Sequence, residues 1–346
     1  MKIMIIQPLL EIYGGAELVV VRLTQELLKS KHEVEVVTSA LNYKIRRELK
    51  NNINVITKVD DIIKYIKESD YDIYNPHNHP AEMLFKGLTK SVVWNCNEPP
   101  DSAIRGDKLP PDYIKVVNNI SEVVVSDNFN KNRFRRLYGK DSNIIPYGVD
   151  HSFFSKSVDT SFREDNKVED SFLMLHSSWM NPYKHPERSF EVLNNVIRYI
   201  PEAKLVFTGV PDARTNNIFK MMYESPLRNN IVLIGYVNRN KLREIYQSVD
   251  IVLCPFEKQG GWLTPLESIS SNKLVILHPD APSASYMRRH NLCIVNADFE
   301  KYIIKYYKNK KSFNTLIRNS SKFVETNLTW NNYCKNMLDV YMKALK

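Results

Sequence analysis

The chain has 346 residues, 43% of them apolar and 25% charged, with a formal net charge of +9. That length makes about two domains of ordinary size, and the composition excludes a disordered or fibrous chain. Residues 301–346 hold 10 Lys and Arg against 2 Asp and Glu, while the rest is nearly balanced, so no broad basic face for nucleic acid is expected.

The 4 cysteines lie far apart with no Cys-x-x-Cys pair. That spacing argues against a disulfide framework or a thiolate zinc site, and for a reducing, cytoplasmic compartment. No apolar run approaches the ~20 residues that span a bilayer. The opening MKIMII is short and stopped by Pro8, so it reads as a buried strand and not as a signal peptide.

In chain order, residues 3–6 form a strand. Residues 16–30 place Leu18, Val21, Leu23, Leu27 and Leu28 at near-helical spacing. A strand follows at 33–38, a polar helix at 43–50, a strand at 53–57 and a helix at 60–68. Further strands fall at 72–74, 91–94 and 122–126. The polar stretch 155–170 has little apolar periodicity and is the linker candidate. Strands then recur at 172–176, 204–208, 231–234, 250–254, 274–277 and 293–295, and the chain is helical from about 298. Such alternation predicts βαβ units with parallel sheets. Ligands bind at the carboxyl ends of such strands, and two such domains predict a cleft between them.

The loops after the strands carry the candidate chemistry. Gly14 and Gly15 precede a helix, which suits either an anion or a tight capping turn. His77 and His79 stand at i, i+2, which does not share a helix face, so each is either part of a polar cluster at a strand end or a surface residue. Asn97 and Glu98 follow another strand ahead of Pro99-Pro100, as site residues or as a rigid exit. Ser126 or Asp127 caps a helix with Lys131, Arg133, Arg135, Arg136 and Lys140, an anion site or a solvated face. In the second half, Ser178 and Lys184 lie in the loop that opens a helix, where a cation joined to helix-terminal amides suits a diphosphate. Ile234 and Tyr236 flank Gly235. Gln259, Gly260 and Gly261 precede another helix, with Thr264 as its expected N-cap, Pro265 at N1 and Glu267 in the first turn.

Taken together, these segments resemble the family 4 glycosyltransferases of the GT-B fold over nearly the full length. Gly14-Gly15-Ala16-Glu17 matches the family's first glycine loop, and Pro146-Tyr147-Gly148-Val149-Asp150 its segment before the linker. The run from Asn181 through Lys184 to Glu187 matches its phosphate-binding lysine loop, and Pro255 through Glu267 its paired-glutamate motif. Trp330 and Tyr341 fit its final helix.

The resemblance implies an α/β protein of two Rossmann-like, doubly wound parallel-sheet domains facing across a cleft. Residues 1–155 would form the acceptor-side domain, with a helix at about 329–346 packing back on it. Residues 156–328 would bind the donor. It implies retaining transfer of a sugar from a UDP- or GDP-sugar to a glycan, lipid-linked or other acceptor, with no metal and no tightly bound cofactor. The alternative is a GT-B protein that binds nucleotide or glycan without transfer.

Residue by residue, the resemblance gives His77, Gln259 and Lys184 as the catalytic set. Gly14, Gly15, Ser178, Lys184, Ile234, Tyr236, Gly260, Gly261, Trp262, Leu263, Thr264 and Glu267 would contact the donor. Peripheral docking on the inner face of an anionic membrane, through the basic helices and tail, is a further expectation. The sequence departs from the family where Gln259 replaces the first glutamate, Trp179 an arginine, Asn97 a histidine, Trp262 and Asn272 glycines and Leu274 a proline.

Overall fold

In a computed structural model, residues 1–100, 109–210 and 213–346 are described. The chain divides into two compact units, Met1–Gly148 with Trp330–Lys346, and Val149–Thr329. The division falls at 148/149, ahead of the expected 155/156. The polar stretch beyond it is not a free linker. Phe154, Phe162 and Val168 are buried, and Arg163 donates to Asp250 at 2.9 Å and to the carbonyls of Ser248 and Ser171 at 2.8 Å. Isolated aromatic anchors in a polar context leave no periodic signal, which is why the segment looked like a tether.

The first unit holds parallel strands in the order Ile53–Val55, Glu33–Thr38, Lys2–Ile6, Ile73–Pro76. A second parallel set, Val93–Asn97, Glu122–Val125 and Asn143–Ile144, continues beside it through bridges Tyr74–Val92 and His77–Asn95. The central strands are apolar runs buried on both faces, as parallel sheets require. Asp127 caps the Asn128–Tyr138 helix by accepting from the Asn130 N–H at 2.8 Å, and Gly139 ends it at φ 69°. That helix is not simply a solvated basic face: Arg133 is buried and donates to the Pro99 carbonyl at 3.1 Å.

The second unit is one six-stranded parallel sheet in the order Ile231–Gly235, Ala203–Thr208, Phe172–Ser177, Ile251–Cys254, Leu274–Leu277, Ile294–Val295. Counted along the chain from Phe172, that order is 3-2-1-4-5-6, the dinucleotide-binding topology whose ligand crevice lies where the order reverses, between strands 1 and 4. Its core packs Met174, Leu205, Phe207, Ile251, Leu253 and Ile276 against the flanking helices. All 4 cysteines are buried and unpaired. No described helix is long and apolar enough to cross a membrane.

Candidate functional site

In the second unit, both loops at the reversal point are the ones singled out from sequence. The Phe172–Ser177 strand leads through Ser178 to a 3-10 turn at Pro182–Lys184, where the Asn181 side chain accepts from the Tyr183 N–H at 3.1 Å. The helix Pro186–Val196 follows. The Ile251–Cys254 strand leads to the glycine loop, in which Lys258, Gly260 and Gly261 all have positive φ, and then to the helix Leu263–Ser270. Lys184 joins the two loops. Its Nζ donates to the Gln259 carbonyl at 3.3 Å and lies 4.5 Å from the centre of the Phe256 ring. It passes so close to Gly260 that a Cβ there would overlap it.

The Leu263–Ser270 helix opens differently from expectation. Trp262 occupies the N-cap position, so Pro265 falls at the third helical residue and Glu267 beyond the first turn. Thr264 does not cap; its hydroxyl donates to the Ser177 carbonyl at 2.9 Å and ties the helix start to the neighbouring strand tip. The first amides of any helix have no partners within it. Here the helix start is tied to the strand tip from which the Lys184 loop departs, an arrangement whose positive end can attract an anion.

Glu267 is buried, and burial pushes its carboxyl up to about 7, with Arg239 and the Tyr246 hydroxyl opposing that shift and Asp150 adding to it. Tyr246, itself enclosed, donates to Glu267 Oε2 at 3.3 Å. Ile234 is half-buried and Tyr236 is 54% exposed, on either side of Gly235, whose carbonyl accepts from the Gly209 N–H at 2.8 Å.

Glu257 does not stand in for the family glutamate that Gln259 replaces. Its carboxylate is held by Arg188 at 2.6 Å and flanked by His185 and His278 at 3.6 Å each. Burial opposes ionisation there, yet the Arg188 guanidinium holds the carboxyl below its usual range. Glu257, His278 and Asp280 also bring ligand-type atoms within 4.8 Å of one another, but the arginine occupies the carboxylate. Gln259 itself keeps a buried Oε1 with no partner among the described residues.

In the first unit, Gly14 is the N-cap of the Gly15–Lys29 helix, and the Glu17 side chain accepts from its N–H at 3.1 Å; Gly15 is exposed beside it. His77 is not a surface residue. It is fully enclosed, its Nε2 lies 2.9 Å from Asn75 Oδ1, and its Nδ1 lies 3.4 Å from Asn95 Nδ2. Burial pushes its pKa down to about 3, so the ring is neutral. Both ring nitrogens thus have partners at the tip of the strand, and no face of the ring is exposed. His79, by contrast, is partly exposed and pairs with buried Glu82 at 2.5 Å.

The network around His77 was not visible in the sequence. Tyr341 donates to Asn75 Oδ1 at 2.8 Å, and Asn95 donates to the Tyr333 hydroxyl at 2.7 Å, so the final helix Trp330–Ala344 is locked onto the strand ends. Asn97 donates to Asn78 Oδ1 at 2.5 Å and accepts from the Tyr147 hydroxyl. Asn97 thus belongs to a second hydrogen-bonded set, which runs on from Asn78 to the Gln7 side chain at 2.9 Å, and it is buried.

Comparison with known proteins decides the family. A model of the group 1 glycosyl transferases matches residues 157–323, and a model described as Glycosyltransferase Family 4 matches residues 13–153. The chain belongs to the GT4-like glycosyltransferases of the GT-B fold.

A solved structure of HepE from Anabaena in complex with UDP-glucose superposes at a TM-score of 0.83 over 99% of each chain, at 14% identity. A glycosyltransferase from Rickettsia africae gives 0.78 over 100% of this chain and 99% of its own, at 17% identity. An uncharacterized glycosyltransferase of Methanocaldococcus jannaschii is 23% identical over 150 residues, 42% of this chain but only 38% of the relative's length.

Two departures from the GT4-like pattern have physical explanations. Asn272 sits at φ 56°, the left-handed conformation a glycine would adopt and which asparagine tolerates better than most residues. Trp262 has φ −108°, so no glycine is needed there, and its ring packs 5.3 Å from that of Tyr286. Trp179 is 55% exposed and brings no charge where the family pattern has an arginine.

Proposed function

We propose that this GT4-like protein transfers a glycosyl group from a nucleoside-diphosphate sugar, with the donor held in the second unit. The observation that carries the reading is the junction of Lys184, the Gly260–Gly261 loop and the start of the Leu263–Ser270 helix at the reversal point of the sheet. Cleaving a sugar from a nucleoside diphosphate builds negative charge on the leaving phosphate. A fixed ammonium and helix-start amides stabilise that charge without reorganising. Charge supply of this kind supports the reading that no divalent metal takes part. The Glu267 carboxylate would accept from the ribose hydroxyls, and Ile234 and Tyr236 would flank the base.

Gln259 Oε1, buried without a partner among the described residues, would accept from a hydroxyl of the transferred sugar. Retention of anomeric configuration, by attack on the face the phosphate leaves, needs no side-chain nucleophile. UDP is the nucleotide favoured, because HepE is seen with UDP, with UDP and glucose, and with UDP-glucose. The acceptor would be a glycan or a lipid-linked saccharide met from the first unit, and the lysine-rich C-terminal helices would favour an anionic membrane surface.

The neutral Gln259 also supports a second reading, nucleotide or glycan binding without transfer. A panel of labelled UDP- and GDP-sugars with saccharide and lipid acceptors, run with and without a chelator, tests both. Transfer that survives chelation is expected. Nucleotide binding with no transfer from any donor, unrescued by Gln259→Glu, would establish the second reading.

A further inference from the structure

Ser178 closes the Phe172–Ser177 strand, and its neighbour Ser177 receives the Thr264 hydroxyl through its carbonyl. Ser178 therefore lies one peptide from the start of the Leu263–Ser270 helix, in the loop that runs to Lys184. Among the described residues its half-buried hydroxyl has one partner, His176 Nε2 at 2.9 Å. The other ring nitrogen, Nδ1, lies 2.8 Å from Ser189 Oγ, on the helix that follows Lys184. His176 is fully enclosed, with its ring centre 5.2 Å from Phe207 and 5.8 Å from Phe256. Burial, with Lys184 and His185 nearby, pushes its pKa down to about 3, so the ring carries one N–H and not two.

Which nitrogen carries that proton follows from Ser189. Ser189 is 1% exposed, and among the described residues His176 Nδ1 is the one hydrogen-bond partner of its hydroxyl. If Nδ1 held the proton, the Ser189 hydroxyl proton would be buried without an acceptor, at a cost of about 1–3 kcal/mol. If Nε2 holds it, Ser189 donates to Nδ1 and His176 donates to Ser178 Oγ. The second arrangement pairs both buried groups and leaves the Ser178 proton without an acceptor among the described residues.

We propose that the Ser189–His176–Ser178 chain presents the Ser178 hydroxyl as a committed donor to a diphosphate oxygen of the bound nucleotide, with His176 a positioning residue. The proposal rests on the function proposed above. It also gives the lysine loop a donor of its own beside Trp179, where the family pattern has a cation.

Two measurements test it. In a long-range proton–nitrogen spectrum of the histidine-labelled protein without ligand, the His176 ring should be protonated on Nε2. A proton on Nδ1 overturns the proposal whatever the protein binds. Titration of UDP and of uridine should then show Ser178→Ala weakening UDP about tenfold with uridine unchanged within about twofold. Ser189→Ala, remote from any ligand, should weaken UDP by a smaller factor in the same selective way. Equal UDP affinity in wild type and Ser178→Ala, or equal losses for UDP and uridine, overturns the proposal. No UDP binding by the wild type overturns it together with the reading on which it rests, whereas the spectrum bears on the hydrogen-bond chain alone.

Discussion

Glu267 shows how one buried side chain ties stability to ligand binding. Its carboxyl is raised by burial to about 7 from an unfolded value near 4.5. The neutral form is thus favoured in the fold; the stability it brings is present below about pH 4.5 and is lost as pH rises through 7, on the order of 3 kcal/mol in all. A ribose diol needs the ionised form as acceptor. The advantage of the wild type over Glu267→Gln in UDP affinity should therefore widen between about pH 6 and 8, the terminal phosphate of UDP titrating alike in both, as titration calorimetry at several pH values would show. The residue's place in the motif was legible in sequence, but its enclosure was not, because Tyr246 reaches it from 21 residues away.

Two glycines separate backbone strain from crowding. Gly235 has φ 78° with open space where a Cβ would go, whereas Gly209 has φ 106° and a Cβ there would overlap the Ser178 carbonyl. Gly235→Ala should cost about 1–2 kcal/mol, the price of a left-handed conformation for a residue with a side chain. Gly209→Ala should cost clearly more and also disturb Ser178. Chemical denaturation of both variants checks the order, and equal costs would contradict it.

At the scale of elements, strands were the most readable part of the sequence. The runs at 33–38 and 274–277 coincide with observed strands: the second is a continuous apolar run buried along its whole length, and the first, EVEVVT, is read from its β-branched residues. What failed to show were features fixed by partners distant in the chain. The helix start at Trp262 was misplaced because Thr264 is a good cap by type, yet the Ser177 carbonyl claims its hydroxyl. The final helix was legible, but its two phenolic locks were not.

Those locks predict an asymmetry. Tyr333→Phe strips a buried Asn95 N–H of its acceptor and should cost about 1–3 kcal/mol. Tyr341→Phe leaves Asn75 Oδ1 still facing His77 Nε2 and should cost about 0.5–1.5 kcal/mol. Urea unfolding monitored in the first unit distinguishes them.

For the whole molecule, the charge excess proves local and partly compensated. The lysine-rich tail is shared between the two units, Lys310 pairs with Asp250 at 2.6 Å, and Lys343 pairs with Glu122 at 2.9 Å. Buried neutral histidines add to acid sensitivity. His77 and His176 both have folded pKa values near 3, against an ordinary value of 6.5. The unfolded chain takes up protons that the native one refuses, so this stability is present above pH 6.5 and lost as pH falls towards 3. Each contributes a slope of about 1.4 kcal/mol per pH unit. His77→Asn should therefore flatten the loss of stability between pH 6 and 4 by about that amount, whatever it does to stability at pH 7. An unchanged slope would show that His77 is protonated in the fold.

The central claim is that the second unit holds a nucleoside diphosphate at the reversal point of its sheet, with Lys184 on the phosphates. Titration of UDP into the wild type and Lys184→Ala tests it most directly. A hydrogen bond to a charged group contributes about 1.5–3 kcal/mol. Saturable binding by the wild type, weakened about ten- to a hundredfold in Lys184→Ala with uridine affinity little changed, is the result predicted. Equal UDP binding by both proteins, or none by the wild type, would contradict it.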